Sequence, residues 1–316
     1  MSNLPSVISV VIPTLRRPRL VLQALASVFA QSYRELDVIV VVDGPDEETV
    51  AALRSVQDPR LRFFVQPASL TAAGARNYGV AQARGEWIAF LDDDDEWLPH
   101  KLERQMKAAR SADPVLITCM SRVITPLATY IWPREIFDNS RPLDEYLFDR
   151  HDMFAGSAFI QTSSYLMPRT LCERLPFRTH TPHDDWDFLV RLTKELGVRI
   201  EMVPEALVNV HFEERRPSLS RADAWAVSLS WVDSLRPILT RRAYSGFCLT
   251  VVAPRAASEH AYAAFLPLLV KAFRYGRPRI RHVLVFLAFW AVPQDVRRML
   301  RAALLGERRA DASRVR

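Results

Sequence analysis

The sequence predicts an α/β fold: a mostly parallel sheet flanked by helices, with a helical C-terminal extension. Three observations carry this. Short, near-continuous apolar runs recur through residues 1–120, segments of helical period separate them, and aspartates stand where two of those runs stop. Strands apolar along their whole length and separated by helices belong to sheets covered on both faces.

The elements follow in order. VISVVIP (7–13) is a strand ended by proline, and RLVLQALASVFAQ (19–31) puts Val21, Leu25, Val28 and Phe29 on one helical face. LDVIVVVDG (36–44) is the second strand and DEETVAALRSV (46–56) the next helix. LRFFVQ (61–66), the helix-like TAAGARNYGVAQAR (71–84) and EWIAFLD (86–92) continue the alternation. Residues 121–180 are less regular, with prolines and scattered aromatics. HDDWDFLVRLTKELG (183–197) is a further helix with a glycine stop, and from about residue 220 the chain is largely helical.

Composition narrows the functional classes. An apolar fraction of 49% and a charged fraction of 25% are those of a globular protein. Cys119, Cys172 and Cys248 lie far apart and form no CxxC pair, so disulfide and zinc frameworks are disfavoured and a reducing cytoplasm is expected. The N-terminal stretch lacks the charged start and apolar core of a signal peptide, and VLVFLAFWAVP (283–293) is too short to span a bilayer. The net charge of +6 is concentrated in arginines from Arg277 on. Such a tail suits nucleic acid or an anionic membrane. The front half lacks the basic-aromatic pattern of a nucleic-acid binder, so no nucleic acid is expected as a partner.

Chemistry concentrates in two acidic clusters. In GEWIAFLDDDDEWLP (85–99) an apolar run passes straight into Asp92, Asp93, Asp94 and Asp95. Carboxylates at a strand end suit Mg2+ or Mn2+ shared with a substrate phosphate. They equally suit a solvated turn that caps the helix starting near Pro99. The second cluster, HTPHDDWDFLVRL (180–192), is either a pair of carboxylates available for proton transfer or the cap of a helix with an apolar face.

Order and spacing separate these alternatives. Pro13-Thr14 after the first strand, Asp43-Gly44 after the second, GARNYG, and GEWIAFLDDDDEW together resemble the family 2 glycosyltransferases of the GT-A (Rossmann-like) fold, and ASVFAQSY is similar to that family's SVLAQTY. The resemblance is strong over residues 7–112 and weaker over 183–220. It implies a metal-dependent, inverting transferase with Mn2+ or Mg2+ as cofactor, a nucleotide-sugar donor (UDP-sugar favoured) and a glycan or lipid-linked acceptor, in bacterial cell-surface polysaccharide biosynthesis. By the same resemblance Pro13, Thr14, Asp43, Arg76 and Asp93 would hold the nucleotide sugar. Asp94 would ligate the metal, joined by His211, with Asp92 and Asp184 in support. Asp185 would be the catalytic base, while Arg215 and Arg216 would contact diphosphate or acceptor. For Arg76 a salt bridge to the neighbouring acids stays open, as does a structural role for His211.

Two departures bear on the donor. Leu15 stands where the family has an aromatic, and Val42 where it often has a first acid. The resemblance implies a catalytic domain over 1–220, with a donor half at 1–112 and an acceptor half at 113–220, followed by the extension at 221–316. That extension either meets a membrane peripherally, at the inner face of the plasma membrane, or packs on the core or into a homodimer. Single-sugar transfer is expected, since no QxxRW segment is present. A nucleotidyltransferase would carry a Gly-rich loop where IPTLRRPR stands. An inactive nucleotide-sugar-binding or scaffold protein is the non-enzymatic alternative.

Overall fold

The computed structural model describes residues 6–109, 115–126, 128–149, 158–211, 225–292 and 296. The chain divides into two compact units. The first comprises residues 1–123, 131–138 and 160–211, and the second residues 124–130, 139–159 and 212–316.

The first unit begins with the alternation read from the sequence: β1 (Ile8–Thr14), α1 (Pro18–Phe29), β2 (Leu36–Val42), α2 (Glu47–Arg54), β3 (Leu61–Val65), α3 (Thr71–Gln82) and β4 (Trp87–Phe90). Every residue of β1 and β2 is buried, which is why these strands are apolar on both faces. α1 starts on Pro18 and turns Val21, Ala24, Leu25 and Val28 to the sheet, with Phe29 only partly covered at the rim. Asp46 caps α2, its carboxylate accepting the Thr49 N–H at 3.1 Å.

After β4 come β5 (Asp95–Trp97), α4 (Lys101–Ala108), β6 (Val115–Ile124), β7 (Thr129–Trp132), α5 (Leu143–Phe148), β8 (Leu166–Pro168), α6 (Arg169–Arg174), α7 (Asp184–Glu195) and β9 (Arg199–His211). The sheet runs β3-β2-β1-β4-β8-β6-β9-β5, with β7 on β6. Its first four strands are parallel, whereas β8 is antiparallel to β4 and to β6, and β5 to β9. The sheet is therefore mixed: parallel through the helix-alternating half and largely antiparallel beyond it. β5 and β8, the short strands of that antiparallel part, are three residues each.

The second unit holds α5 and, after residue 224, α8 (Trp225–Leu235), α9 (Arg241–Phe247), α10 (Ala253–Ser258), α11 (Phe265–Tyr275) and α12 (Ile280–Ala291). A π-helical turn at Cys248–Val252 joins α9 to α10. Phe148, Trp231 and Phe247 meet edge-on or tilted at 5.0 to 6.3 Å in its core. The three cysteines are free and buried.

Candidate functional site

Parallel strands deliver their carboxyl ends to one edge of a sheet, and that edge is where the polar residues of the first unit gather. Thr14 ends β1, Asp43 follows β2, and Asp92 to Asp95 follow β4. The acidic run does not continue β4. It turns and re-enters the sheet as β5 against β9, with Asp95 opposite Val210 and Trp97 opposite Val208. The helix-cap alternative for the run has no support in the contacts, since α4 begins at Lys101 with His100 at its cap and no side-chain capping bond.

The four aspartates differ in their partners. Asp93 is buried, accepts the Thr14 hydroxyl at 2.7 Å and pairs with the Arg17 guanidinium at 2.9 Å. Burial outweighs these partners and pushes its pKa up to about 6. Asp94 is more exposed and lies 3.3 Å from the same Arg17 nitrogen. Asp95 is buried and structural, held by the Ser163 hydroxyl at 2.6 Å and the Gln161 amide at 3.2 Å. Burial, with Asp92 and Asp94 nearby, raises its pKa well above the ordinary carboxylate range. Ser163 also accepts the Asp92 N–H at 3.0 Å, and its carbonyl accepts the Trp97 indole N–H at 2.8 Å. One small residue thus pins both ends of the acidic turn.

Arg76 joins the two acidic clusters. Buried on α3, it donates from one terminal nitrogen to Asp92 at 2.6 Å and from the other to Asp184 at 2.9 Å, and it rests over the Phe177 ring. These are the ion pairs that the sequence left open for Arg76 beside a donor contact. The two carboxylates raise its pKa further despite burial, so it carries its charge at all relevant pH.

Asp184 and Asp185 open α7, where the helix N-terminus favours negative charge. The preceding residue, His183, sits in the left-handed region at φ 55° and stacks on Trp186. Asp185 is half-buried. Desolvation first, and then the charge of Asp184, pushes its pKa up to about 7. Asp187 serves packing instead, bonded to Arg191 at 2.7 Å within the buried side of α7.

Asp43 is buried and accepts the Ser69 hydroxyl at 2.7 Å and the Leu70 N–H at 2.6 Å. A carboxylate has further lone-pair sites for a ligand. Pro13 lies in β1 opposite Val41, while the exposed Leu15 lies beside Gly44. His211 ends β9, next to Val210, which pairs with Asp95 at the start of β5. Its Nε2 has no hydrogen-bond partner but lies 3.8 Å from a Glu96 carboxylate oxygen. Arg215 and Arg216 lie outside the described residues.

Among the described residues no group of three or more His, Cys, Asp or Glu forms a metal site. Carboxylates and an imidazole nitrogen that makes no hydrogen bond nevertheless fit Mn2+ or Mg2+, ions that take few protein ligands when phosphate oxygens complete the shell. Three residues of this constellation are not evident from sequence: Arg17, Ser163 and Tyr165. The Tyr165 hydroxyl is buried with no partner, and burial first, then Asp185, raises its pKa. Only Arg17, a cation in the loop after β1, carried a signal that reading the sequence could have used.

The sequence model of glycosyl transferase family 2 matches residues 9–174. The amylovoran biosynthesis glycosyltransferase AmsB of Erwinia amylovora is 28% identical over 245 residues, 74% of this chain and 79% of the relative. The mannosyltransferase PcManGT from Pyrobaculum calidifontis, solved with GDP-Man and Mn2+, superposes with a TM-score of 0.57 at 20% identity, covering 96% of this chain and 86% of that one. S. aureus TarS in complex with UDP-GlcNAc superposes with a TM-score of 0.59 at 15% identity, covering 92% and 82%. The fold is that of the GT-A glycosyltransferases.

Proposed function

This chain belongs to glycosyl transferase family 2 and is a glycosyltransferase, and from that premise we propose that it transfers one sugar from a nucleotide-sugar donor, a UDP-sugar by preference, to a glycan or glycolipid acceptor in bacterial cell-surface polysaccharide biosynthesis. AmsB, named for amylovoran biosynthesis, supports the polymer class. The observation that carries the reading is the Asp92–Arg76–Asp184 bridge, which holds the strand-end acids and the α7 acids in one site.

The roles follow from chemistry. Thr14, Asp43 and Asp93, at the strand ends, would hold the nucleoside, and Arg17 would supply a cation for its diphosphate. Asp94 and His211 would hold Mn2+ or Mg2+, whose positive charge stabilises a departing diphosphate. Asp185, with a pKa of about 7, is a carboxylate basic enough to take the acceptor's proton. In a single displacement the acceptor oxygen bonds to the anomeric carbon as the bond to diphosphate breaks. The hydroxyl proton passes to Asp185, and the anomeric configuration inverts. Arg76 positions both acid pairs while touching no reacting atom.

Calorimetric binding and turnover of UDP-, GDP- and dTDP-sugars, with and without Mn2+, test this. One donor should bind only with metal. Asp94→Ala should lose that binding, and Asp185→Ala should keep it while turnover vanishes. A folded wild-type chain that binds no nucleotide sugar would return the protein to the scaffold alternative.

A further inference from the structure

In the second unit, α11 and α12 follow one another across residues 276–279, a helical hairpin in which each helix has an apolar buried side and an apolar exposed side. Inward, α11 buries Leu268 and Ala272, and α12 buries Val285, Phe286 and Phe289. Phe265 closes the open end of the hairpin against Phe286 at 4.8 Å and Trp290 at 5.5 Å. Outward, Leu266, Val270 and Phe273 recur on α11 at spacings of four and three, and Ile280, Leu284 and Leu287 do the same on α12. These six side chains are 44 to 80% exposed. Soluble helices turn a polar face to water, and a contiguous apolar face marks a docking surface.

Charge selects the occupant. Between Glu259 and Asp295 the sequence has Lys271, Arg274, Arg277, Arg279 and Arg281, and no acid. Asp233 draws Lys271 inward at 2.5 Å, and Asp149 draws Arg279 and Arg281 at 2.9 Å each. Arg274 and Arg277 stay exposed at the hairpin turn. A second copy of this face would bring cations and no acids to a self-complementary contact. An anionic bilayer offers apolar chains to the stripe and phosphates to the arginines. Helices of 11 and 12 residues are too short to span it, so they would lie in its surface.

We propose that the α11–α12 hairpin docks this protein on an anionic lipid membrane, with the aliphatic stripe among acyl chains and Arg274 and Arg277 among headgroup phosphates. This goes beyond the transfer reaction and does not depend on which donor is used.

Flotation of the full chain with phosphatidylglycerol–phosphatidylcholine vesicles, beside vesicles of phosphatidylcholine alone, tests it. The wild type should float with the anionic vesicles and lose most binding at about 0.5 M salt, where charges a few ångströms apart are screened. Arg274→Gln should weaken binding about fivefold. The triple variant Val270→Glu, Phe273→Glu, Leu284→Glu should stay in the unbound fraction, with its melting temperature and donor binding unchanged because these side chains are exposed. Wild-type protein that does not float overturns the proposal, and so does a triple variant that floats undiminished. A wild-type dimer that ignores vesicles and becomes monomeric in the triple variant would assign the face to a second copy and also overturn it.

Discussion

At the scale of single residues, Asp185 couples activity and stability in opposite senses. Burial and Asp184 lift its pKa from an ordinary 3.8 to about 7. A carboxyl whose folded pKa lies above its unfolded value favours the folded chain when protonated. Its contribution to stability is full below the unfolded value and is lost as pH rises through about 7. Proton abstraction needs the ionised form, so the transfer rate should rise through about pH 7 and level off above it. Asp185→Asn should reduce transfer by about 10²- to 10⁴-fold, with donor affinity retained in calorimetry. The same variant should melt no lower than wild type at about pH 8, where the native carboxylate is ionised in a half-buried place. A lower melting temperature there would mean that the ionised group is better solvated than its surroundings indicate.

At the scale of elements, the first unit depends on pairings that sequence periodicity does not reveal. The helix-alternating half was legible because each strand is a short apolar run between helical segments. The acids at 92–95 stood out as a polar stop after such a run, and those at 184–185 as an acid pair before a helix with an apolar face. β5 was not legible, since three residues, two of them acidic, carry no period. Nor was β9, whose partner lies more than 100 residues earlier in the chain. The Arg76 bridge spans 108 residues to Asp184, so only the folded chain displays it. Arg76→Met keeps the bulk of the side chain but leaves Asp92 and Asp184 as adjacent uncompensated charges. Urea unfolding should show a loss of about 3–5 kcal/mol, the usual cost of removing one partner of a buried ionic cluster. Arg76→Lys should recover part of it, because an ammonium cannot reach both carboxylates as a guanidinium fork does.

At the scale of the whole molecule, the second unit assembles from separate stretches of chain, which no shift in linear composition announces. Among the ties between its early stretch and its late one is Asp149, its side chain buried and bonded to Arg279, Arg281 and His282 at 2.9, 2.9 and 2.5 Å. Asp149→Asn should leave Arg279 and Arg281 without a counter-charge and speed hydrogen exchange in α12 about 100-fold, as expected if the local opening energy falls by about 3 kcal/mol. Unchanged exchange there would mean that apolar packing alone holds α12. The β5–β9 ladder has another kind of consequence. Side chains alternate across a strand, so inserting or deleting one residue between Asp95 and Trp97, or between Val208 and Val210, would turn the paired residues beyond it to the opposite side of the sheet. Over generations such a site tolerates changes of letter far better than changes of length. Lineages of this fold should therefore gain and lose residues in their loops while the count through this three-residue ladder stays fixed.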